Sequence, residues 1–304
     1  MINYRIRHVT TYTYDQDVTG SYGLFHLRPR ELPWQQCRDH QVTIQPGPAD
    51  LFSHQDAYGN TKSYFHVRHP HRQLVITAVS DVGIGPVAVP DDRLAIGWEL
   101  ARPAERTDQT DAWQAMDFTL ASPMVDLPAE VAAYAQESFV PGRSVGEAAT
   151  DLMHRIHEDF AYVSGASTVT SRVADLLRTR SGVCQDFAHF MVACLRSQGL
   201  AGRYVSGYLA TRPPPGQERL VGADASHAWV GLWIPGGGWL ALDPTNDRIT
   251  DEAHATVAFG RDYGDVPPVK GVIYTKAKES TMTVSVDMAP ISGQDQVGST
   301  DAGV

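Results

Sequence analysis

Cysteine and long hydrophobic runs are scarce in this sequence. The 304 residues include three cysteines, Cys37, Cys184 and Cys194, and such a sparse, odd-numbered set disfavours a fold held together by disulfides. No run approaches the ~18 consecutive apolar residues of a membrane-spanning helix, and the amino terminus has no charged and apolar leader. We therefore expect a protein of a reducing compartment, the cytoplasm by default, with no membrane partner.

Positive charge is also scarce. Lysine and arginine together number 25 against 35 aspartates and glutamates, which gives a formal net charge of −10 at pH 7. A phosphate-binding surface needs clustered lysine and arginine, so nucleic acid is disfavoured as the main partner. The histidines have no fixed ligand spacing, and both Cys-x-x-Cys pairs and a calcium-loop pattern are absent. We therefore expect neither a metal nor a cofactor.

The pattern of apolar residues changes along the chain. Residues 1–82 alternate apolar and polar side chains, which predicts an antiparallel β domain, and residues 83–127 are rich in glycine, proline and charge, which predicts a connector. Helical periodicity followed by aromatic strands over 128–290 predicts an α+β domain with helices ahead of an antiparallel sheet. The alternating stretch 272–288 fits a strand of either sheet. Residues 291–304 predict a disordered tail.

One cysteine lies at the start of a helical pattern, just after a glycine. From Cys184 onward, Phe187, Met191 and Leu195 recur at three- and four-residue spacing, which places the Cys184 thiol on the buried face of the first turn. Unpaired backbone N–H groups and the positive end of the helix dipole favour a thiolate there. A cysteine in this position is more often a small core residue, so the stretch alone is compatible with either role.

Two later segments favour a catalytic role. His227 and Trp229 begin an aromatic strand, Asp243 ends a second strand, and the turn residues 234–238 predict a hairpin that could place His227 beside Asp243. Just before this hairpin, residues 213–216 predict an exposed loop. A thiol on a helix, an imidazole on one strand and a carboxylate on the next suit cysteine acyl transfer, because histidine moves the thiol proton and the carboxylate orients the ring.

Three local sequences, Gly-Val-Cys-Gln-Asp-Phe-Ala-His, His-Ala-Trp-Val and Leu-Asp-Pro-Thr-Asn, resemble the transglutaminase-like superfamily of cysteine proteases. The chain has 43 residues from Cys184 to His227 and 16 from His227 to Asp243, which is too compact for papain-type enzymes. Residues 4–14 and 260–268 resemble the bacterial subfamily that carries its own N-terminal β domain. The resemblance implies a papain- or transglutaminase-like core in which the nucleophile helix packs on an antiparallel sheet.

The resemblance also implies an activity. Cys184, His227 and Asp243 would form a thioester acyl-enzyme from a peptide or protein substrate. With water as acceptor the protein is a peptidase or amidase acting on peptide or isopeptide bonds, which the bacterial relatives favour, whereas an amine acceptor makes it a protein-glutamine transamidase. A peptide-binding module whose triad only shapes a groove is an alternative of another class, although the presence of all three residues argues against it.

Further residues are candidates for contacts with the substrate. The backbone N–H of Cys184 is the expected donor to the oxyanion of the tetrahedral intermediate. The other candidates for substrate or oxyanion contacts are Gln185, Trp229, Arg261, Asp262 and Tyr263. For the last three, a structural loop held by an Arg to Asp pair and a buried tyrosine is an equally good interpretation.

Overall fold

The computed structural model describes residues 1–106, 108–164, 172–211 and 225–291. The strands are β1 (Ile2–Phe25), β2 (Gln35–Gln45), β3 (Asp50–Gln55), β4 (Thr61–Val67), β5 (His71–Ile84), β6 (Ala161–Tyr162), β7 (Ser181–Gly182), β8 (Gly202–Leu209), β9 (Ala225–Ile234), β10 (Gly238–Asp243), β11 (Arg248–Ile249), β12 (His254–Gly260), β13 (Val269–Thr275) and β14 (Ser280–Pro290). The helices are α1 (Asp91–Leu94), α2 (Ala112–Met116), α3 (Ala129–Gln136), α4 (Val145–Asp159), α5 (Val173–Thr179) and α6 (Cys184–Ser197), with 3₁₀ turns at Trp98–Ala101, Pro103–Glu105, Asp117–Thr119 and Tyr263–Asp265. The predicted loop at 213–216 and the predicted tail after residue 291 lie outside the described residues.

The first sheet has seven antiparallel strands and is built around the long strand β1. The first half of β1 pairs with β5 and β14, and its second half pairs with β4 and β13. The predicted domain 128–290 includes β13 and β14, and both strands hydrogen-bond to β1 of the first sheet. Val286 and Met288 on β14 are buried in the hydrophobic cluster that also includes Ile6 of β1. The first sheet is therefore built from both ends of the chain.

The second sheet has five antiparallel strands in the order β11, β10, β9, β8, β12. Helix α6 packs on one face of it, where Ala228, Val230 and Leu232 of β9 alternate toward the helix. The same hydrophobic cluster includes Ile6 and Met288 of the first sheet, so one continuous core joins the two sheets. The predicted α+β class, with an amino-terminal antiparallel sheet before a helix-and-sheet core, is confirmed.

Helix α4 begins at a capping box. A serine followed three residues later by a glutamate, as in Ser144 and Glu147, predicts a helix start, and the Ser144 hydroxyl accepts the Glu147 backbone N–H at 3.2 Å at the start of α4. The end of the predicted connector lies against helix α6, where the buried guanidinium of Arg196 donates hydrogen bonds to the carbonyls of Phe118 and Leu120 at 3.0 and 2.9 Å. Within the four described stretches, no helix has the length and hydrophobicity needed to cross a membrane.

Candidate active site

Cys184 is the first residue of α6. The Asp186 carboxylate accepts the Val183 N–H at 2.8 Å, and the Val183 carbonyl accepts the Asp186 and Phe187 N–H groups at 2.9 and 3.1 Å. These contacts hold the chain at the helix start, where the backbone N–H of the first residue, Cys184, has no acceptor within the helix. Cys37 and Cys194 are buried, whereas Cys184 is half-buried and lines a cavity. The thiol therefore lies at the positive end of a buried helix and within reach of a ligand.

The predicted hairpin brings His227 and Asp243 together. β9 and β10 are adjacent antiparallel strands, and His227 Nε2 lies 2.7 Å from Asp243 Oδ2. Asp243 is 0% exposed, and its other oxygen, Oδ1, accepts the backbone N–H groups of Thr245 and Asn246 at 3.0 and 3.3 Å. The Asn246 side-chain amide donates to Oδ2 at 2.7 Å. The turn that follows β10 thus supplies the donors that keep a buried carboxylate satisfied.

Electrostatics favour a charged imidazole between a carboxylate and a thiol. Burial alone lowers the pKa of His227, but hydrogen bonds to Asp243 and to the Cys184 side chain outweigh burial and raise this pKa above its ordinary value. Burial alone raises the pKa of Asp243, but hydrogen bonds from His227, His254 and Asn246 lower it below its ordinary value. Because Nε2 of His227 faces Asp243, Nδ1 is the nitrogen left for the thiol. The arrangement can accept a proton from Cys184 and return it to a leaving group.

His254 is a residue of this site that the sequence pattern did not reveal. It opens β12, with Nε2 3.3 Å from Asp243 Oδ2 and Nδ1 3.0 Å from Asp251 Oδ1. Its ring packs edge-on against Trp229, with 5.4 Å between centroids. The signal in the sequence is slight, since it consists of one histidine at the head of an apolar strand. The Asp243 carboxylate therefore contacts two imidazoles, that of His227 and that of His254.

His227, Asp243 and His254 also have the donor types of a zinc site, with ligand atoms within 4.8 Å of one another. Hydrogen bonds account for this geometry, because Asp243 Oδ2 accepts from both histidines and from Asn246. We therefore assign the cluster to the orientation of Asp243.

Gln185 and Trp229 occupy different positions relative to the thiol. Gln185 lines the cavity beside Cys184. Trp229 is buried on the strand face that also carries His227, with its ring centroid 6.2 Å from that of His227. Trp229 thus supports the imidazole from the protein side, and Gln185 remains a candidate for substrate contact.

The three candidate residues of the late segment, Arg261, Asp262 and Tyr263, also differ in their positions relative to the thiol. Arg261 forms two hydrogen bonds with the Asp265 carboxylate, at 2.9 and 3.0 Å. Asp262 is buried and accepts the backbone N–H groups of Met124 and Gly264 at 2.9 and 2.8 Å. These two side chains hold the loop in place, as the structural interpretation of this segment predicts. Tyr263 differs from them because it lines the cavity that contains Cys184.

The cavity beside Cys184 has a volume of about 240 Å³. One side is formed by the start of α6 and by β8 and β9, which contribute Tyr204 and His227. The opposite side is formed by β1 and β14 of the first sheet, which contribute Thr10 and Val284. The sequence left the role of the amino-terminal sheet open, and the structure places it directly against the candidate active site.

Family comparisons agree with this architecture. A family model described as the bacterial transglutaminase-like N-terminal region matches residues 4–83, and a model described as the transglutaminase-like superfamily matches residues 132–244. A Mycobacterium tuberculosis protein described as uncharacterised is 46% identical over 299 residues, which cover 95% of this chain and 93% of that protein.

Two further matches are more distant. A Pseudomonas aeruginosa protein-glutamine gamma-glutamyltransferase is 42% identical over 119 residues, which cover 36% of this chain and 18% of that protein. A Cytophaga hutchinsonii crystal structure, described as that of a candidate cysteine protease, superposes with a TM-score of 0.76 at 18% identity and covers 96% of this chain and 91% of that chain. At this identity the match establishes a shared fold.

Proposed function

Since the chain belongs to the transglutaminase-like superfamily and carries its bacterial N-terminal region, we propose that it is a cysteine-dependent amidase that cleaves peptide or isopeptide bonds. The observation that carries this proposal is the position of His227, which interacts with the Cys184 thiol and lies 2.7 Å from the buried Asp243 carboxylate. Nucleophile, proton carrier and orienting carboxylate are then in contact before substrate binds.

The reaction proceeds in two steps. The Cys184 thiolate attacks the amide carbonyl carbon, and the C–N bond breaks as His227 gives its proton to the departing amine, which leaves a thioester. Water then attacks the thioester and gives a proton to His227, and the C–S bond breaks to release the acid and regenerate the thiolate. The backbone N–H of Cys184, at the start of α6, is the donor that we assign to the oxyanion.

A second candidate differs only in the acceptor. The Pseudomonas aeruginosa relative is named a protein-glutamine gamma-glutamyltransferase, and its match supports transfer of the acyl group from a glutamine side chain to an amine. Cys184, His227 and Asp243 would have the same roles in the first step, and a primary amine would replace water in the second. The geometry of the site fits either acceptor.

One experiment separates these functions. Glutamine-containing and isopeptide-linked peptides are incubated with the protein, with and without a fluorescent primary amine, and products are identified by mass spectrometry. Free acid indicates hydrolysis, and an amine adduct indicates transamidation. Cys184→Ala should abolish both products, whereas Cys37→Ala, a matched change at a buried cysteine of the first sheet, should retain them. Absence of product with every peptide, together with unchanged peptide binding by Cys184→Ala, would favour the binding-module alternative.

A further inference from the structure

The first sheet faces the candidate nucleophile across the cavity that contains Cys184. We propose that β1 and β14 set the substrate preference of Cys184 by forming a wall that admits an uncharged side chain beside the scissile bond and rejects a charged one. This inference rests on the proposed function, since it describes the acyl group that Cys184 would attack. It also gives the amino-terminal sheet a role in the chemistry.

Strand register determines which residues form the wall. β1 and β14 are antiparallel, with Thr10 opposite Val284 and Tyr12 opposite Met282. The register from Tyr4 to Tyr14 runs without a shift, so alternate residues of each strand face the same side. These four side chains all line the cavity that contains Cys184. Two cross-strand pairs therefore form one surface opposite the thiol.

This surface carries no formal charge at neutral pH. His8, deeper in the same wall, is buried, with Nε2 2.8 Å from the Thr10 hydroxyl and Nδ1 3.1 Å from the Tyr208 hydroxyl. Burial lowers the pKa of His8 to about 4, so its ring is neutral. Burial also raises the pKa of Tyr12 to about 12, so its hydroxyl stays protonated.

Among the other described residues that line the cavity, His227 is the one whose side chain carries a charge near pH 7, because its pKa is raised to about 10. This imidazolium already has a partner of opposite sign in the buried Asp243 carboxylate, 2.7 Å away. A charged substrate side chain entering this space loses its hydration and finds no partner of opposite sign. An aliphatic or amide side chain meets no such penalty, since hydroxyls and apolar groups line the walls.

The size of the cavity points to one side chain. Its volume of about 240 Å³ is below the ~300–1,000 Å³ of sites for drug-sized ligands. The preferred substrate is therefore a peptide whose residue at the reacting carbonyl is compact and uncharged, such as leucine or glutamine.

The test uses the full chain and four peptidyl chloromethyl ketones that differ only in the residue at the reacting carbonyl: leucine, glutamine, glutamate or lysine. The rate of Cys184 modification is followed by mass spectrometry, and iodoacetamide reports the reactivity of the thiol itself. We expect the leucine and glutamine probes to react at least tenfold faster than the glutamate and lysine probes. Equal rates for all four, with Cys184 reactive toward iodoacetamide, would overturn the inference and leave the proposed function intact. A Cys184 that is no more reactive than Cys37 would overturn both.

A charge placed in the wall provides a second test. Val284 is 45% exposed at the rim of the cavity, so Val284→Glu should fold, and it should accelerate the lysine probe at least fivefold relative to the leucine probe. Thr283→Glu is the matched control, because Thr283 is exposed on the opposite face of the same strand and its replacement should leave the ratio unchanged. The same ratio in both variants would show that β14 does not contact the substrate.

Discussion

The carboxylate of Asp243 should control the reactivity of Cys184 at low pH. Asp243 does not touch the cavity, yet its hydrogen bond to His227 raises the pKa of that histidine. In Asp243→Asn the charge is lost while the side-chain shape is kept. The pKa of His227 should then fall toward its ordinary value of about 6.5, and the positive charge beside the Cys184 thiol should be lost near pH 7.

The expected size of the effect follows from the geometry. The bond between His227 Nε2 and Asp243 Oδ2 is 2.7 Å long, and both residues are buried, so solvent screens it little. A hydrogen bond to a charged group contributes about 1.5–3 kcal/mol, and tenfold corresponds to about 1.4 kcal/mol, so alkylation of Cys184 should slow by about 10- to 150-fold at pH 6.

The assay is the rate of Cys184 alkylation by iodoacetamide between pH 5.5 and 9.5, read by mass spectrometry. Cys37 and Cys194 are internal references, since burial raises the pKa of both thiols, for Cys37 to about 11. Wild type and Asp243→Asn should differ most at low pH and converge near pH 9.5, where thiols ionise without help. Asp247→Asn, the same change four residues later in a side chain that pairs with His154 on the surface, is the matched control.

Two results would refute this reasoning. Equal low-pH rates for wild type and Asp243→Asn would mean that the carboxylate does not act on the thiol through His227. An equal loss in Asp247→Asn would mean that the effect comes from distortion of the turn after β10. Thermal unfolding of each variant separates both results from global destabilisation.

Three further predictions concern neighbouring groups. His254→Ala removes the 3.3 Å contact with Asp243 and should slow the alkylation of Cys184 at low pH about three- to tenfold. In His254→Gln the side-chain amide can donate a hydrogen bond to Asp243, so this variant should keep most of the wild-type rate. Equal losses of rate in the two variants would exclude hydrogen bonding as the cause. Arg261→Ala removes the ion pair with Asp265. Because the Arg261 side chain is 36% exposed, this change should lower the free energy of unfolding, measured by urea titration, by only about 0.5–1 kcal/mol, and it should leave Cys184 alkylation unchanged. The pKa of Asp243 is lower in the folded protein than in the unfolded chain, so the ionised carboxylate stabilises the fold above the unfolded pKa of about 3.9, and this stabilisation is lost as the pH falls from there through the folded pKa. The free energy of unfolding in urea should therefore depend less on pH between pH 2 and 5 in Asp243→Asn than in the wild type. The same pH dependence in both proteins would contradict this prediction.

Several features of the molecule could be predicted because their causes are local in the sequence. The spacing of apolar residues after Cys184 predicts a helix that starts at the thiol, and α6 begins there. Turn residues between two aromatic strands predict the hairpin that sets His227 beside Asp243. The capping pattern at Ser144 predicts the start of α4. Each of these signals depends on residues close together in the chain, and residue types and spacing are enough to specify them.

What only the tertiary structure decided is which surfaces meet. Alternation in β14 predicts a strand but not its partner, and the pairing of Thr10 with Val284 joins residues from opposite ends of the chain. The contact of His254 with Asp243 likewise joins two strands, β12 and β10, that are not neighbours in the second sheet. Periodicity shows which face of a strand is buried, but it does not show what lies against that face. The local sequence therefore specifies the elements that carry Cys184, His227 and Asp243, and the packing of the first sheet on the core determines which residues face the Cys184 thiol.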